Sequence, residues 1–252
     1  KFTFTRDEEW FILIHVAIEA EAQDVLKAIV ASYSKRALND PDDFEDCLVM
    51  MGIGLEKLYR MLLRMREQCQ PKTYAAEVRI PIMMQREIVF EGVPELKGRP
   101  ITLLGETGAQ SSIVPSVVAA LCVQHQEEGH MRFLREHRNY MPPVHRKFIF
   151  DIEALSSVAA TSIRERVINI GRVSLKASYN FARAMLHKFR EEHCRFAQDY
   201  IFSQLPPEQL MQYGGGHANQ KEEGHRGTGG TVASKWLPKL RDETAADMLS
   251  FS

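Results

Sequence analysis

From Ser174 to Gln204 the residues Leu175, Tyr179, Ala182, Leu186, Phe189, His193, Phe196 and Tyr200 recur at every third or fourth position. A pattern of that length and period fits one long helix with a single buried face. A second stripe, Phe44, Leu48, Met51, Leu55, Leu58, Leu62 and Met65, follows the start signal Asn39-Asp40-Pro41-Asp42-Asp43. A third helix is expected from about Glu8 to Lys35. Stripes of this kind must bury their faces against one another, so the chain is expected to be all-α, a helical bundle.

The stretch from Thr73 to Pro100 reads differently. Val78, Ile80 and Ile82 alternate with other residues, which predicts extended backbone, and Ile88-Val89-Phe90 predicts a short strand. Gly92, Pro94, Gly98 and Pro100 punctuate a loop. Helix resumes over Ser111 to Val123 and Glu127 to Asn139. Met141-Pro142-Pro143 is expected to stop that segment, with the next helix starting near Asp151. Residues 205–231, rich in glycine and histidine, predict a mobile active-site loop, followed by a short tail helix.

Composition narrows the function classes. The 252 residues carry a formal net charge of −1, so no global field draws nucleic acid or an anionic membrane, and neither is expected as a partner. No apolar run approaches a membrane span; the most apolar, Trp10 to Ala17, is interrupted by His15. Cys47, Cys69, Cys122 and Cys194 form no C-x-x-C pair, which suggests reduced thiols and a cytoplasmic setting. The sequence opens Lys-Phe-Thr, without methionine.

His193 is the most informative single residue. It shares the face of Leu186, Phe189 and Phe196, and an imidazole in an apolar wall needs a partner. Two partners suit it: a backbone carbonyl in the core, or the iron of a haem, for which a neutral helical imidazole is a common ligand. Arg190, one turn earlier, reads either as a solvated surface charge or as a partner for a haem propionate. His125, His130 and His137 lack the carboxylate partners and the H-E-x-x-H spacing of a zinc site. His217 and His225 fall in the glycine-rich loop, and His145 in a Pro-Pro turn, where structural roles suffice.

Three further segments carry a resemblance. Gly108-Ala109-Gln110-Ser111-Ser112, Arg138-Asn139-Tyr140-Met141-Pro142-Pro143-Val144-His145-Arg146 and Gly227-Thr228-Gly229-Gly230-Thr231 occur in the order and at the spacing of matching segments in indoleamine 2,3-dioxygenases. The proline-rich segment is the most specific. The chain thus resembles that family's large helical catalytic domain over nearly its whole length. The resemblance implies one helical haem-binding domain over residues 1–252, without the family's smaller N-terminal domain.

The resemblance also implies roles. Arg190-Glu191-Glu192-His193 takes the place of the family's haem-ligand pattern, making His193 the proximal ligand of haem b and Arg190 the propionate partner. Tyr74-Ala75-Ala76-Glu77-Val78-Arg79-Ile80 is similar to the segment whose arginine grips the substrate carboxylate, a bond that a forked guanidinium suits. Thr107 and Gly108 fall in the loop over the distal haem face. Thr228 matches the threonine of the loop that closes on the amino acid's polar end. Turn chemistry is the other reading of both threonines. Thr3 or Thr5 loosely matches a distal serine; the implied mechanism demands no strong general base, which fits a distal side offering hydroxyls rather than His or Asp.

Tyr74 and Ala75 replace paired phenylalanines, Glu77 is unexpected beside them, and Val118 stands where some members carry an aspartate. The expected function is a haem-dependent dioxygenase that consumes O2 and opens the C2–C3 bond of L-tryptophan or another indole, giving an N-formylkynurenine-type product. A different aromatic or imidazole-type substrate, or reversible haem and oxygen binding without turnover, are the alternatives. The oligomeric state is left open.

Overall fold

Thr5 and Glu8 set the start of the first helix. Thr5 accepts the Glu8 backbone N–H at 3.2 Å, and the Glu8 carboxylate accepts from the Thr3 and Phe4 backbone and from the Thr3 hydroxyl. Orphan donors at a helix N-terminus are thereby satisfied. Thr3 and Thr5 are thus engaged in this cap, which corrects their expected place in a distal pocket. The computed structural model describes residues 1–83, 85–126, 128–205, 232–246 and 248–250.

Helix α1 spans Arg6–Ser32 and is followed by the short α2, Lys35–Asn39. Helix α3, Pro41–Leu63, is capped by Asp40 and carries proline in its first turn, where no N–H is needed. A three-residue helix α4, Pro71–Thr73, leads into a π-helical turn, Tyr74–Val78. Strands β1, Gln85–Ile88, and β2, Ile101–Leu103, pair antiparallel as a two-stranded hairpin. Then come α5, Ile113–Ala120; α6, Glu128–His137; α7, Pro143–Ser156; α8, Ile163–Ile170; α9, Val173–Ala197; and α10, Ala233–Ala245.

The all-α class is what the stripes dictate. Helix α3 is central, with α1 on one side and α9 on the other, and α10 lies along α9. Val25 and Ile29 of α1, Leu48, Met51 and Leu55 of α3, and Leu175, Tyr179 and Leu186 of α9 are buried in one continuous core. Each such side chain contributes about 1.5–3 kcal/mol through removal from water. The helices approach closely at Gly54, where a Cβ would stand 2.5 Å from Cγ2 of Val25 and 3.2 Å from its backbone N.

Three local readings need correction. The segment Val78–Ile82 is not extended. Tyr74, Ala75, Val78, Arg79 and Ile82 are buried while Ile80 is exposed, a helical rather than an alternating pattern. The Arg79 N–H bonds the Tyr74 carbonyl at 2.8 Å, closing a wide turn. The Pro142-Pro143 pair starts a helix instead of only stopping one: Pro142 is the cap and Pro143 the first residue of α7. The strand near Ile88 exists but lies earlier, and Val89 and Phe90 fall outside it.

Arginines fasten the periphery. Buried Arg166 donates to Ser32 O at 2.8 Å and Ala37 O at 2.6 Å, with its guanidinium 3.7 Å from the Phe44 ring centre. Buried Arg183 of α9 donates to Thr244 O at 3.0 Å and Ala246 O at 2.6 Å, clamping the end of α10. All four cysteines are free. Among the described residues no helix is long and apolar enough to cross a membrane.

Candidate functional site

The buried stripe of α9 opens at one place. Leu186 and Phe196 are buried, Phe189 is half-buried, and His193 between them is exposed. The exposure is not that of an open surface. Burial among protein atoms, then the proximity of His15 and Arg190, pushes the His193 imidazole down to about 4. A ring that water can touch yet whose charged form is strongly disfavoured stands in a cleft. Its nitrogens make no hydrogen bond within the described residues, so the core-histidine alternative does not describe it.

His15 of α1 is the residue that the sequence reading missed. It too is exposed by area, and burial lowers its pKa, against the opposing pull of the Phe11 carbonyl, Glu19 and Glu106. His15 Nδ1 lies 2.8 Å from Phe11 O. A carbonyl can only accept, so Nδ1 carries the proton and Nε2 of the neutral ring is left as an acceptor. His15 and His193 sense each other's charge, so two neutral imidazoles from α1 and α9 share this region. The available signal was His15 itself, a polar break in the most apolar run of the chain.

Beside His15 runs a chain of aromatic contacts. Its ring centre is 4.3 Å from Phe11; Phe11 is 5.1 Å from Tyr74, and Tyr74 is 5.8 Å from Tyr200. Tyr74, Ala75 and Arg79 are all buried. The Arg79 guanidinium hydrogen-bonds to the Tyr74 hydroxyl, whose pKa burial nevertheless raises. The π-helical turn sets these two side chains, five residues apart, next to each other. Three of the expected substrate-contact residues thus come together, with His15 joined to them through Phe11.

Thr107 caps the short turn Gly108–Gln110: its hydroxyl accepts from Ala109 N at 3.3 Å, and Gln110 reaches back to the Thr107 N–H. That is turn chemistry, and it leaves the Thr107 hydroxyl proton free to donate. A Cβ built on Gly108 would meet nothing within 4 Å. The loop is tied to the Arg79 segment by Glu106 N donating to Ile82 O at 2.9 Å.

Arg190 is held on one edge by α10. It donates to Leu240 O at 2.8 Å and to the Thr244 hydroxyl, and faces Nε2 of His125 at 3.4 Å. Burial lowers its pKa to about 10, so it remains cationic at neutral pH. His125 is itself bonded to Glu243 at 2.6 Å. No group of three metal-ligating side chains occurs among the described residues. Thr228, His217 and His225 lie outside the described residues, as does the expected loop from 206 onward.

The proline-rich segment serves structure. Arg138 forks onto Glu153 at 3.0 and 2.6 Å. His145 Nδ1 is 3.2 Å from the Ser112 hydroxyl, and Leu104 N donates to the Tyr140 hydroxyl at 3.1 Å. Two of the three recognisable segments therefore touch, and together they brace the loop that carries Thr107.

The donor set fits a haem. A neutral imidazole on a long helix, lacking a hydrogen-bond partner among the described residues and opening onto a cleft, can coordinate iron without displacing a proton. His15 stands nearby on a second element, and the Arg190 cation lies one turn from His193.

Comparisons with known proteins identify the family. The family model for Indoleamine 2,3-dioxygenase matches residues 1–247. Indoleamine 2,3-dioxygenase 1 of Rattus norvegicus is 30% identical over 97% of this chain and 60% of its own length. Indoleamine 2,3-dioxygenase of Saccharomyces cerevisiae is 27% identical over 97% of this chain and 60% of its own length. A 6-hydroxytryptophan 2,3-dioxygenase of Fusarium equiseti is 26% identical over 96% and 61%. The chain spans about 60% of the length of these relatives. With nearly every residue inside the family match, the chain belongs to the indoleamine 2,3-dioxygenase family.

Proposed function

We propose that the protein is a haem-dependent dioxygenase acting on a small indole amino acid, L-tryptophan first, and that it adds both atoms of O2 to give an N-formylkynurenine-type product. The observation that carries this reading is His193: a neutral imidazole, without a hydrogen bond among the described residues, where the buried stripe of α9 opens. Bound haem supplies the activation of dioxygen, chemistry that no side chain provides.

The chain's own residues hold and orient. Neutral His193 is the iron ligand, and Arg190 offers a nearby cation to a propionate. Arg79, steadied by the Tyr74 hydroxyl, takes the substrate carboxylate through paired charge-assisted bonds. His15 Nε2, with its other nitrogen committed to Phe11 O, accepts the indole N–H. Phe11 and Tyr74 give the ring an aromatic wall. Thr228 is assigned the substrate's polar end on sequence resemblance alone. Fixing both ends of the substrate brings the reacting carbon to a defined place, which is worth several powers of ten in rate.

A ring-hydroxylated indole is the second reading. The phenolic Tyr74 and the similarity to a 6-hydroxytryptophan 2,3-dioxygenase favour it. The reading as a whole is tested by haem reconstitution of wild type and His193→Ala. Wild type is expected to take up one haem with a histidine-ligated spectrum, and the variant to lose stable uptake. Full, spectrally unchanged uptake by the variant overturns the ligand assignment.

A further inference from the structure

The cation assigned to a haem propionate is itself held by two residues that the reading above leaves unused. Nη1 of Arg190 donates to Leu240 O at 2.8 Å and to the Thr244 hydroxyl, both on α10. Nε2 of His125 stands 3.4 Å from Nη1 and 3.4 Å from Nη2, so it faces the end edge of the guanidinium and takes one N–H from each. Among the described residues the Nε–H and the outer Nη2–H make no hydrogen bond. Those donors form an edge that can fork onto a carboxylate with two parallel bonds.

His125 can accept from Arg190 because of Glu243. The His125 side chain is 3% exposed, and its Nδ1 lies 2.6 Å from Glu243 Oε2. A carboxylate only accepts, so Nδ1 carries the proton and Nε2 keeps its lone pair for the guanidinium. Glu243 is fixed in turn, since its Oε1 accepts from Gln126 N at 3.3 Å. Burial and the Arg190 and Arg183 charges hold the His125 pKa below its ordinary value, against the pull of Glu243. The chain is thus carboxylate, neutral imidazole, guanidinium, and each member has the donor or acceptor that the next one needs.

A planar fork with one free edge binds a carboxylate only in the direction in which its other edges are pinned. We infer that His125, oriented by Glu243, is a positioning residue for Arg190: it pins the end edge of the guanidinium and leaves the Nε–Nη2 edge to grip a haem propionate. The inference rests on the haem reading and on the propionate role of Arg190, and adds to them the two residues that aim the cation. Without the imidazole, Arg190 is held by its Nη1 contacts to α10 alone, and the guanidinium can swing about them.

The test is the rate of haem loss to an excess of a tight haem scavenger, followed by the haem absorption band, for wild type, Arg190→Leu, His125→Leu and His125→Gln. Each protein is loaded either with haem or with haem dimethyl ester, whose propionates carry no charge. With haem, Arg190→Leu and His125→Leu are expected to lose the cofactor about tenfold faster than wild type. His125→Gln, whose amide oxygen can accept from Arg190, is expected to stay within about threefold of wild type. With the ester, wild type and His125→Leu are expected to release the cofactor at the same rate, because no propionate charge is left to grip. If His125→Leu loses haem and ester faster by the same factor, His125 merely braces the fold and the inference is overturned. It is also overturned if His125→Leu keeps haem as wild type does while Arg190→Leu loses it, a result that leaves the propionate role of Arg190 standing. If Arg190→Leu keeps haem as well as wild type does, the propionate role itself fails, and the inference with it.

Discussion

If His193 lies in a cleft that disfavours its charge, the haem-free protein must lose stability in acid through this one ring. The folded pKa, about 4, lies below the ordinary 6.5. Between those values the unfolded chain binds a proton that the folded chain refuses, so stability falls as pH drops from about 6.5 towards 4 and levels off below. For a fully shielded ring the gap corresponds to ~3.4 kcal/mol. Water entering the cleft screens part of it, which leaves ~1.5–2 kcal/mol. The assay compares urea midpoints of haem-free wild type and His193→Leu from pH 7.5 to 4.5. His15, His125 and His137 are also held below their ordinary values by burial, and they tilt both proteins in the same direction. The difference between the two proteins isolates His193: the variant gains relative to wild type as the pH falls. A difference that stays constant across this range refutes the cleft assignment. For the same reason haem uptake is expected to be nearly independent of pH from 8 to 5, since no proton has to be displaced from the ligand.

Arg79→Ala should raise KM for L-tryptophan by about tenfold to a hundredfold and leave the haem spectrum intact; steady-state kinetics check this, and an unchanged KM removes Arg79 from the carboxylate. Gly54→Ala drives a methyl into Val25 where the α1 and α3 backbones meet. It should cost about 1–3 kcal/mol, read as a lowered urea midpoint. Arg183→Met strips the buried donors from Thr244 O and Ala246 O. A loss of about 2–3 kcal/mol is expected, together with faster amide exchange in α10; exchange unchanged there shows that the clamp does not hold that helix.

Much of the fold could be read from spacing because a helical stripe and its burial are the same fact seen twice. Leu175, Tyr179 and Leu186 are buried where the period places them, and the break in burial at His193 marks the cleft. The region after Thr73 misled for a physical reason. Val78, Ile80 and Ile82 alternate in the sequence, but Ile80 faces out while Arg79, a charged residue, faces in, which hydrophobicity alone cannot reveal. The Pro142-Pro143 pair was legible as a boundary but not as a beginning, since proline both ends one helix and suits the first turn of the next. His15 was visible only as a blemish in an apolar run; that it neighbours Tyr74 through Phe11 follows from α1 packing beside the π-helical turn.

A haem on His193, with the residues around His15 and Arg79, is proposed to turn over an indole amino acid with dioxygen. The most direct measurement is to reduce the haem-loaded protein, admit isotopically labelled O2 with L-tryptophan, and weigh the product. A product that carries both labelled oxygen atoms is expected from wild type and not from His193→Ala. Stable haem binding by wild type with no oxygenated product from L-tryptophan or any hydroxylated or amine-bearing indole would contradict it.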